Sequence, residues 1–124
     1  MGNGLVGKVD LAERFGRIDE QWSPRIVAAV NDYDVKIAKV QGEFPWHTHD
    51  DTDELFLVVD GRLTLEVEGA DPLVLEPGQI AVVPRGRPHR PTAQAETQIL
   101  MLEPRGTRNT GDEDASGTIG EWLD

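Results

Sequence analysis

The chain has only three histidines, and two of them are separated by a single residue. His47 and His49 flank Thr48, so in extended backbone their side chains point to the same face, about 6.5–7 Å apart. Glu54 follows after a short acidic turn and begins a β-rich run whose next inward position is Phe56. Two imidazoles and a carboxylate can therefore project into one interior.

The third histidine, His89, follows a Pro- and Gly-rich bend at 84–88 that can return the chain toward the other two. Three neutral imidazoles and one carboxylate suit a divalent transition metal such as Fe, Mn, Zn or Ni, and an octahedral shell then keeps two open positions. Cysteine is absent, so nitrogen and oxygen must supply the ligands. The spacing of His47 and His49 alone is equally compatible with surface histidines in a polar loop.

The elements that must position these residues are short β-rich runs divided by turn residues. Strands are predicted at 25–30, 35–40, 55–59, 63–67, 73–75, 79–83 and 97–102. Asp60-Gly61 predicts a two-residue type I′ hairpin between two of them. A short amphipathic helix is predicted at 10–17, behind the capping box Asp10-x-x-Glu13. Regular strands without intervening helices predict an all-β fold, a closed or double-sheet antiparallel barrel.

Taken together, the two ligand regions resemble the two motifs of the cupin superfamily. The first motif is matched by Gly42-x4-His47-x-His49-x4-Glu54-x6-Gly61, and the second by Gly78-x5-Pro84-x-Gly86-x2-His89. In the first motif the leading glycine is one residue closer to the histidines than usual, and Ala93 replaces a frequent asparagine after the second motif. The resemblance implies a small single-domain cupin, a jelly-roll or double-stranded β-helix barrel in which His47, His49, Glu54 and His89 hold one divalent transition-metal ion.

The stretch 49–54 and the ending 103–112 also resemble short stand-alone cupins, some of which are called mannose-6-phosphate isomerase-like. Such a label rests on fold, which does not establish function.

Length and charge limit the organisation and the partners. A chain of 124 residues fits one domain, divided into an N-terminal helical segment (1–24), a barrel (25–104) and a polar tail (105–124). A formal charge of −11 disfavours nucleic acid and anionic membrane surfaces as partners. With neither a signal peptide pattern nor a membrane-length apolar run, a cytoplasmic location is expected. The resemblance also implies a homodimer, with Trp22 and Trp122 as apolar anchors outside the barrel.

Four residues are candidates for contacting a small-molecule ligand: Trp46, Phe56, Arg87 and Met101. Trp46 either walls the pocket mouth or packs in the barrel. Arg87 belongs with Arg85 and Arg90 to a basic group beside His89. This group either receives a carboxylate or phosphate or pairs with the acidic turn at 50–53.

Two main classes of function remain open. The first is a metal-dependent enzyme, dioxygenase-like or isomerase-like, that acts on a small organic acid or sugar-like substrate. The second is a non-catalytic module that binds or senses a small molecule. A barrel whose ligands stay empty is a third and weaker alternative. No cysteine exists and no serine lies near the histidines, so a nucleophile with a base is not indicated.

Overall fold

In the computed structural model, which describes residues 7–111 and 117–124, the chain is almost entirely β-structure. The elements are α1 (Leu11–Phe15), β1 (Arg25–Val30), β2 (Tyr33–Glu43), β3 (Glu54–Asp60), β4 (Leu63–Val67), β5 (Leu73–Leu75), β6 (Ile80–Val83), β7 (His89–Pro104) and β8 (Glu121–Trp122). The prediction of an all-β barrel preceded by a short helix is confirmed. The helix is shorter than expected. Asp10 caps it by accepting hydrogen bonds from the backbone of Ala12 and Glu13, and it ends at Gly16.

Strand β7 is the element on which the barrel is assembled. Its first residues, His89 to Thr92, pair antiparallel with β4, and its last part, Gln98 to Leu102, pairs antiparallel with β3. Strand β2 pairs with β7 on the other side over most of its length. Strand β6 extends the sheet beyond β3, β5 extends it beyond β4, and β1 adds to β2.

The prediction of a hairpin at Asp60-Gly61 is wrong, because the strands on either side of this turn do not pair with each other. Strand β3 pairs with β6 and β7, and β4 pairs with β5 and β7, so both adjacent strands use β7 as their partner. The Asp60-Gly61 turn crosses β7 at the point where β7 stops pairing with β4 and begins to pair with β3. Gly61 has a φ of 93°, and an added Cβ would lie 2.5 Å from Thr97 Oγ1, so glycine is required there.

Two apolar clusters, one inside the barrel and one outside it, share strand β2. Ala38 and Val40 face the barrel interior, where they join Phe56, Val58 and other inward residues of the strands. Ile37 faces the opposite side and packs with Phe15 of α1 in the outer cluster. Strand β2 is therefore covered on both faces, and α1 closes the outer one.

The last described residues pack onto the chain's own barrel. Strand β8 pairs parallel with β1, Leu123 is buried in the outer cluster, and Trp22 donates a hydrogen bond from Nε1 to Gln41 O at 2.9 Å. Both tryptophans expected as dimer anchors thus contact their own chain, and the homodimer stays a prediction. The acidic run at 112–114 lies outside the described residues. None of the helices described has the length and hydrophobicity needed to cross a bilayer.

The packing of α1 gives a test of the outer cluster. Phe15 is 1% exposed, so Phe15→Ala removes a large buried side chain and should lower the free energy of unfolding by about 3–5 kcal/mol. Val74→Ala is the control, because Val74 is 53% exposed and its truncation should cost less than about 0.5 kcal/mol. Urea unfolding followed by circular dichroism measures both. Equal costs for the two variants would contradict the placement of α1.

Candidate metal centre

Two backbone segments carry the four candidate ligands, and they are hydrogen-bonded to each other. The backbone N–H of His47 donates to His89 O and that of His89 donates to His47 O, each at 3.0 Å. On either side of this bridge Gly86 N donates to His49 O at 2.8 Å and Phe44 N donates to Pro91 O at 3.1 Å. The histidine pair is therefore held beside His89 by main-chain contacts.

The side chains of this cluster converge on one point. One ligand atom from each of His47, His49, Glu54 and His89 lies within 4.8 Å of the others. Glu54 Oε1 is 3.4 Å from His49 Nε2 and 3.2 Å from His89 Nε2. Three of the residues are buried, whereas His47 is partly exposed. The structure thus brings the predicted ligand set together, and the cluster fits a single metal ion of undetermined identity.

Backbone carbonyls fix the orientation of two imidazoles. His47 Nδ1–H donates to Pro45 O and His89 Nδ1–H donates to Arg87 O, both at 2.9 Å. Because a carbonyl oxygen only accepts, each ring carries its proton on Nδ1, and the lone pair is on Nε2. Such outer hydrogen bonds are those that orient histidine ligands in metalloproteins. The donor set of the residues present is therefore suited to a metal.

The electrostatic environment favours the protonation states that bind metal. Burial lowers the pKa of His47 from 6.5 to about 4, with smaller contributions from neighbouring groups, so its imidazole is neutral near pH 7. Burial by itself would raise the pKa of Glu54. The neighbouring Glu103, His49 and His89 side chains outweigh this effect and hold the pKa of Glu54 well below its usual range. Neutral imidazole and ionised carboxylate are the ligand forms.

Sequence reasoning missed two buried residues behind the cluster, Lys36 and Glu103. Lys36 Nζ lies 2.8 Å from Glu103 Oε1, and both side chains are almost completely buried. Burial raises the pKa of Glu103 well above its usual range, and the neighbouring Glu54 carboxyl acts in the same direction. The available signal was the alternation of β2, which places Lys36 on the same face as Ala38 and Val40.

A largely apolar pocket lies beside the cluster. His47 and Glu54 belong to its wall, and the remaining lining includes Trp22, Phe44, Phe56, Ile99, Met101 and Asn109. Two residues predicted to contact a ligand, Phe56 and Met101, are therefore in this wall. Asn109 was not predicted. Its side chain is held by Thr118 N, which donates to Asn109 Oδ1 at 2.9 Å.

The other two predicted contact residues lie outside this pocket wall. Trp46 is 49% exposed, and the guanidinium carbon of Arg90 lies over its ring, 5.3 Å from the ring centroid. Arg87 donates to Glu68 O from Nε at 3.2 Å and from Nη2 at 2.7 Å. Arg85 contacts Asp53 of the acidic turn, with Nε 3.1 Å from Oδ1. The basic group is thus engaged by neighbouring oxygens.

A jelly-roll barrel with a three-histidine, one-glutamate cluster inside it defines the class of this protein. Residues 34–105 match the Cupin_2 family, described as a cupin domain, so the chain belongs to that family. The predicted resemblance is confirmed.

Particular relatives agree with this assignment. Protein YdbB of Bacillus subtilis (strain 168) is 35% identical over 77 residues, which cover 62% of this chain and 68% of that protein. Quercetin 2,3-dioxygenase of the same organism is 46% identical over 58 residues, which cover 47% of this chain and 17% of that enzyme. A cupin-2 domain protein from Shewanella frigidimarina NCIMB 400 has a similar structure, with a TM-score of 0.76 and 40% identity, covering 78% of this chain and 94% of the other.

The ligand set is tested by paired amide substitutions. Glu54→Gln removes the carboxylate inside the cluster, whereas Asp51→Asn makes the same change in the exposed acidic turn. We expect Glu54→Gln and the double variant His47→Ala/His49→Ala to lose most bound metal in elemental analysis, and Asp51→Asn to keep it. Full stoichiometric metal in the double variant would contradict the assignment.

The lowered pKa of His47 predicts a pH dependence of stability. The unfolded chain takes up a proton near pH 6.5, but folded His47 takes one up only near pH 4. This contribution to stability is therefore fully present above about pH 6.5 and is lost as the pH falls toward 4. With a chelator present, we expect the difference in Tm between the parent and His47→Gln to vary with pH between about pH 4 and pH 6.5 and to be constant above pH 7. A difference that is independent of pH would contradict this.

Proposed function

We propose that this protein is a metal-dependent enzyme that acts on a small organic molecule by dioxygenase-type chemistry. One observation carries the proposal. His47 and Glu54 belong both to the candidate metal cluster and to the wall of the pocket, so a molecule in the pocket would lie beside an ion held by these residues. Four protein ligands leave two positions of an octahedral shell for substrate, water or dioxygen. When bound, the ion supplies a Lewis acid or a redox centre.

The pocket wall favours a particular kind of substrate. Its side chains are mainly apolar, and among the described residues that line it none carries a positive charge. Arg85 and Arg87, the candidates for receiving an anion, contact Asp53 and Glu68 instead. An uncharged organic molecule with an oxygen available to the metal therefore suits this wall better than a sugar phosphate or a polyanionic acid.

The surrounding residues favour oxygenase chemistry over isomerisation. An isomerase needs a base that moves a proton of the substrate. Within the described pocket wall the titratable residues, His47 and Glu54, are candidate ligands, and the amide of Asn109 is not a base. The partial similarity to quercetin 2,3-dioxygenase supports the same choice, although it spans only 17% of that enzyme.

The test is anaerobic reconstitution followed by oxygen-uptake measurements. Protein stripped of metal would be loaded separately with Fe(II), Mn(II), Ni(II) and Zn(II), and offered catechols and flavonols beside mannose 6-phosphate. We expect oxygen consumption coupled to loss of an uncharged aromatic substrate, only with a redox-active metal. Glu54→Gln should abolish it and Asp51→Asn should not.

The same measurements separate the non-catalytic alternative. If calorimetry detects binding of these molecules to the metal-loaded barrel but no metal supports turnover, the protein is a binding or sensing module. Isomerisation of mannose 6-phosphate without oxygen uptake would overturn the dioxygenase proposal in favour of the isomerase one.

A further inference from the structure

A row of charged side chains crosses the barrel interior behind the metal cluster. Lys36 lies on β2, Glu103 on β7 and Glu54 on β3, three strands that are hydrogen-bonded side by side. The pairing of Leu55 with Leu102 places Glu54 level with Glu103. The exposed fractions of Lys36, Glu103 and Glu54 are 0%, 2% and 3%. All three side chains therefore point into the interior, among residues such as Met101.

Successive contacts link Lys36 through Glu103 to the candidate metal ligand Glu54. Lys36 Nζ lies 2.8 Å from Glu103 Oε1 and donates to Thr107 O at 2.9 Å. Glu103 and Glu54 are cross-strand neighbours in the β3–β7 pairing, and both carboxyl groups are buried. Glu54 Oε1 in turn faces the ring nitrogens of two histidines of the cluster. The Glu54 carboxylate thus lies between Glu103 and the histidines of the cluster.

Stability alone does not explain a salt bridge at this place. Taking a charged group out of water carries a penalty of several kcal/mol per ion, and well-packed apolar residues of similar volume are often as stable or more stable. The barrel interior is otherwise filled with such residues. What the pair adds is a fixed contact with the one carboxylate of the cluster, and outer partners of metal ligands typically contribute about 10–100-fold in metal affinity.

We propose that Glu103 is a positioning residue for the candidate ligand Glu54 and that Lys36 holds Glu103 in place. The inference rests on the metal-binding part of the proposed function and not on catalysis. Glu103 sets the direction of the Glu54 carboxylate, and Lys36 and Thr107 prevent Glu103 from turning away. The three buried side chains therefore act on metal binding as one unit.

The test uses two double variants that leave no unpaired buried charge. Lys36→Met/Glu103→Leu replaces the row by apolar side chains and removes the contact with Glu54. Lys36→Met/Glu103→Gln is its matched partner, because glutamine keeps a polar side chain of the same length beside Glu54, and its amide is able to donate a hydrogen bond. Leu65→Met is the control for a change in the same interior without loss of a polar contact, because Leu65 is buried in the barrel but does not line the pocket. Co(II) is the probe, with its Kd measured by competition with a chromogenic chelator and its ligand field by the visible spectrum.

We expect Lys36→Met/Glu103→Leu to weaken Co(II) binding about 10–100-fold and to alter the spectrum, although its metal-free Tm stays near or above that of the parent. The glutamine double variant, which keeps a polar side chain beside Glu54 but lacks Lys36, should bind Co(II) more tightly than the leucine double variant and less tightly than the parent. Leu65→Met should keep the Kd and the spectrum of the parent to within about threefold. A parental Kd and spectrum in the leucine double variant would show that the row is merely structural and would overturn the inference alone. A parent protein that binds no Co(II) would overturn the metal-binding proposal as well. If the leucine double variant does not fold, the glutamine variant decides: a parental Kd and spectrum in it would show that Lys36 does not act on metal binding and would overturn the inference.

Discussion

The reciprocal hydrogen bonds between the backbones of His47 and His89 are the contact on which the site depends. They join two segments that lie far apart in sequence, one leading into β3 and one leading into β7. Since β3 and β7 also pair with each other, this bridge fixes one end of the same sheet in which Glu54 lies. The placement of the two ligand-bearing segments is therefore a property of the main chain.

The barrel interior carries two kinds of environment along the same strands. Around Val58, Leu63 and Ile99 it is an ordinary apolar core. Toward Glu54 it becomes polar, with Lys36 and Glu103 buried beside the candidate ligand. Burial of charges is unfavourable unless they are paired, so the polar end is confined to groups that contact one another. The pocket lies at the boundary, with apolar walls on one side and ligands on the other.

The positions of most strands along the chain could be predicted from local signals, because turn residues end the β-rich runs. The strands at 63–67 and 73–75 have the predicted bounds, whereas 97–102 is only the second half of β7. The bounds of β7 were missed since Pro91 and the polar residues after it interrupt the β-rich pattern. The Asp60-Gly61 turn misled the pairing for a different reason. A turn sequence reports the local backbone conformation but not which strand lies next to it.

By itself the sequence determined the candidate ligands, because it has only three histidines and because their spacing, with Glu54, matches two motifs in the right order. It also determined the β-rich class of the fold through the period of its apolar residues. Only the tertiary structure decided which side chains meet. It turned Arg87 toward Glu68, placed Asn109 in the pocket wall and buried Lys36 against Glu103. Such pairings depend on which strands lie side by side, and strand neighbours far apart in the chain leave no local pattern in the residues themselves.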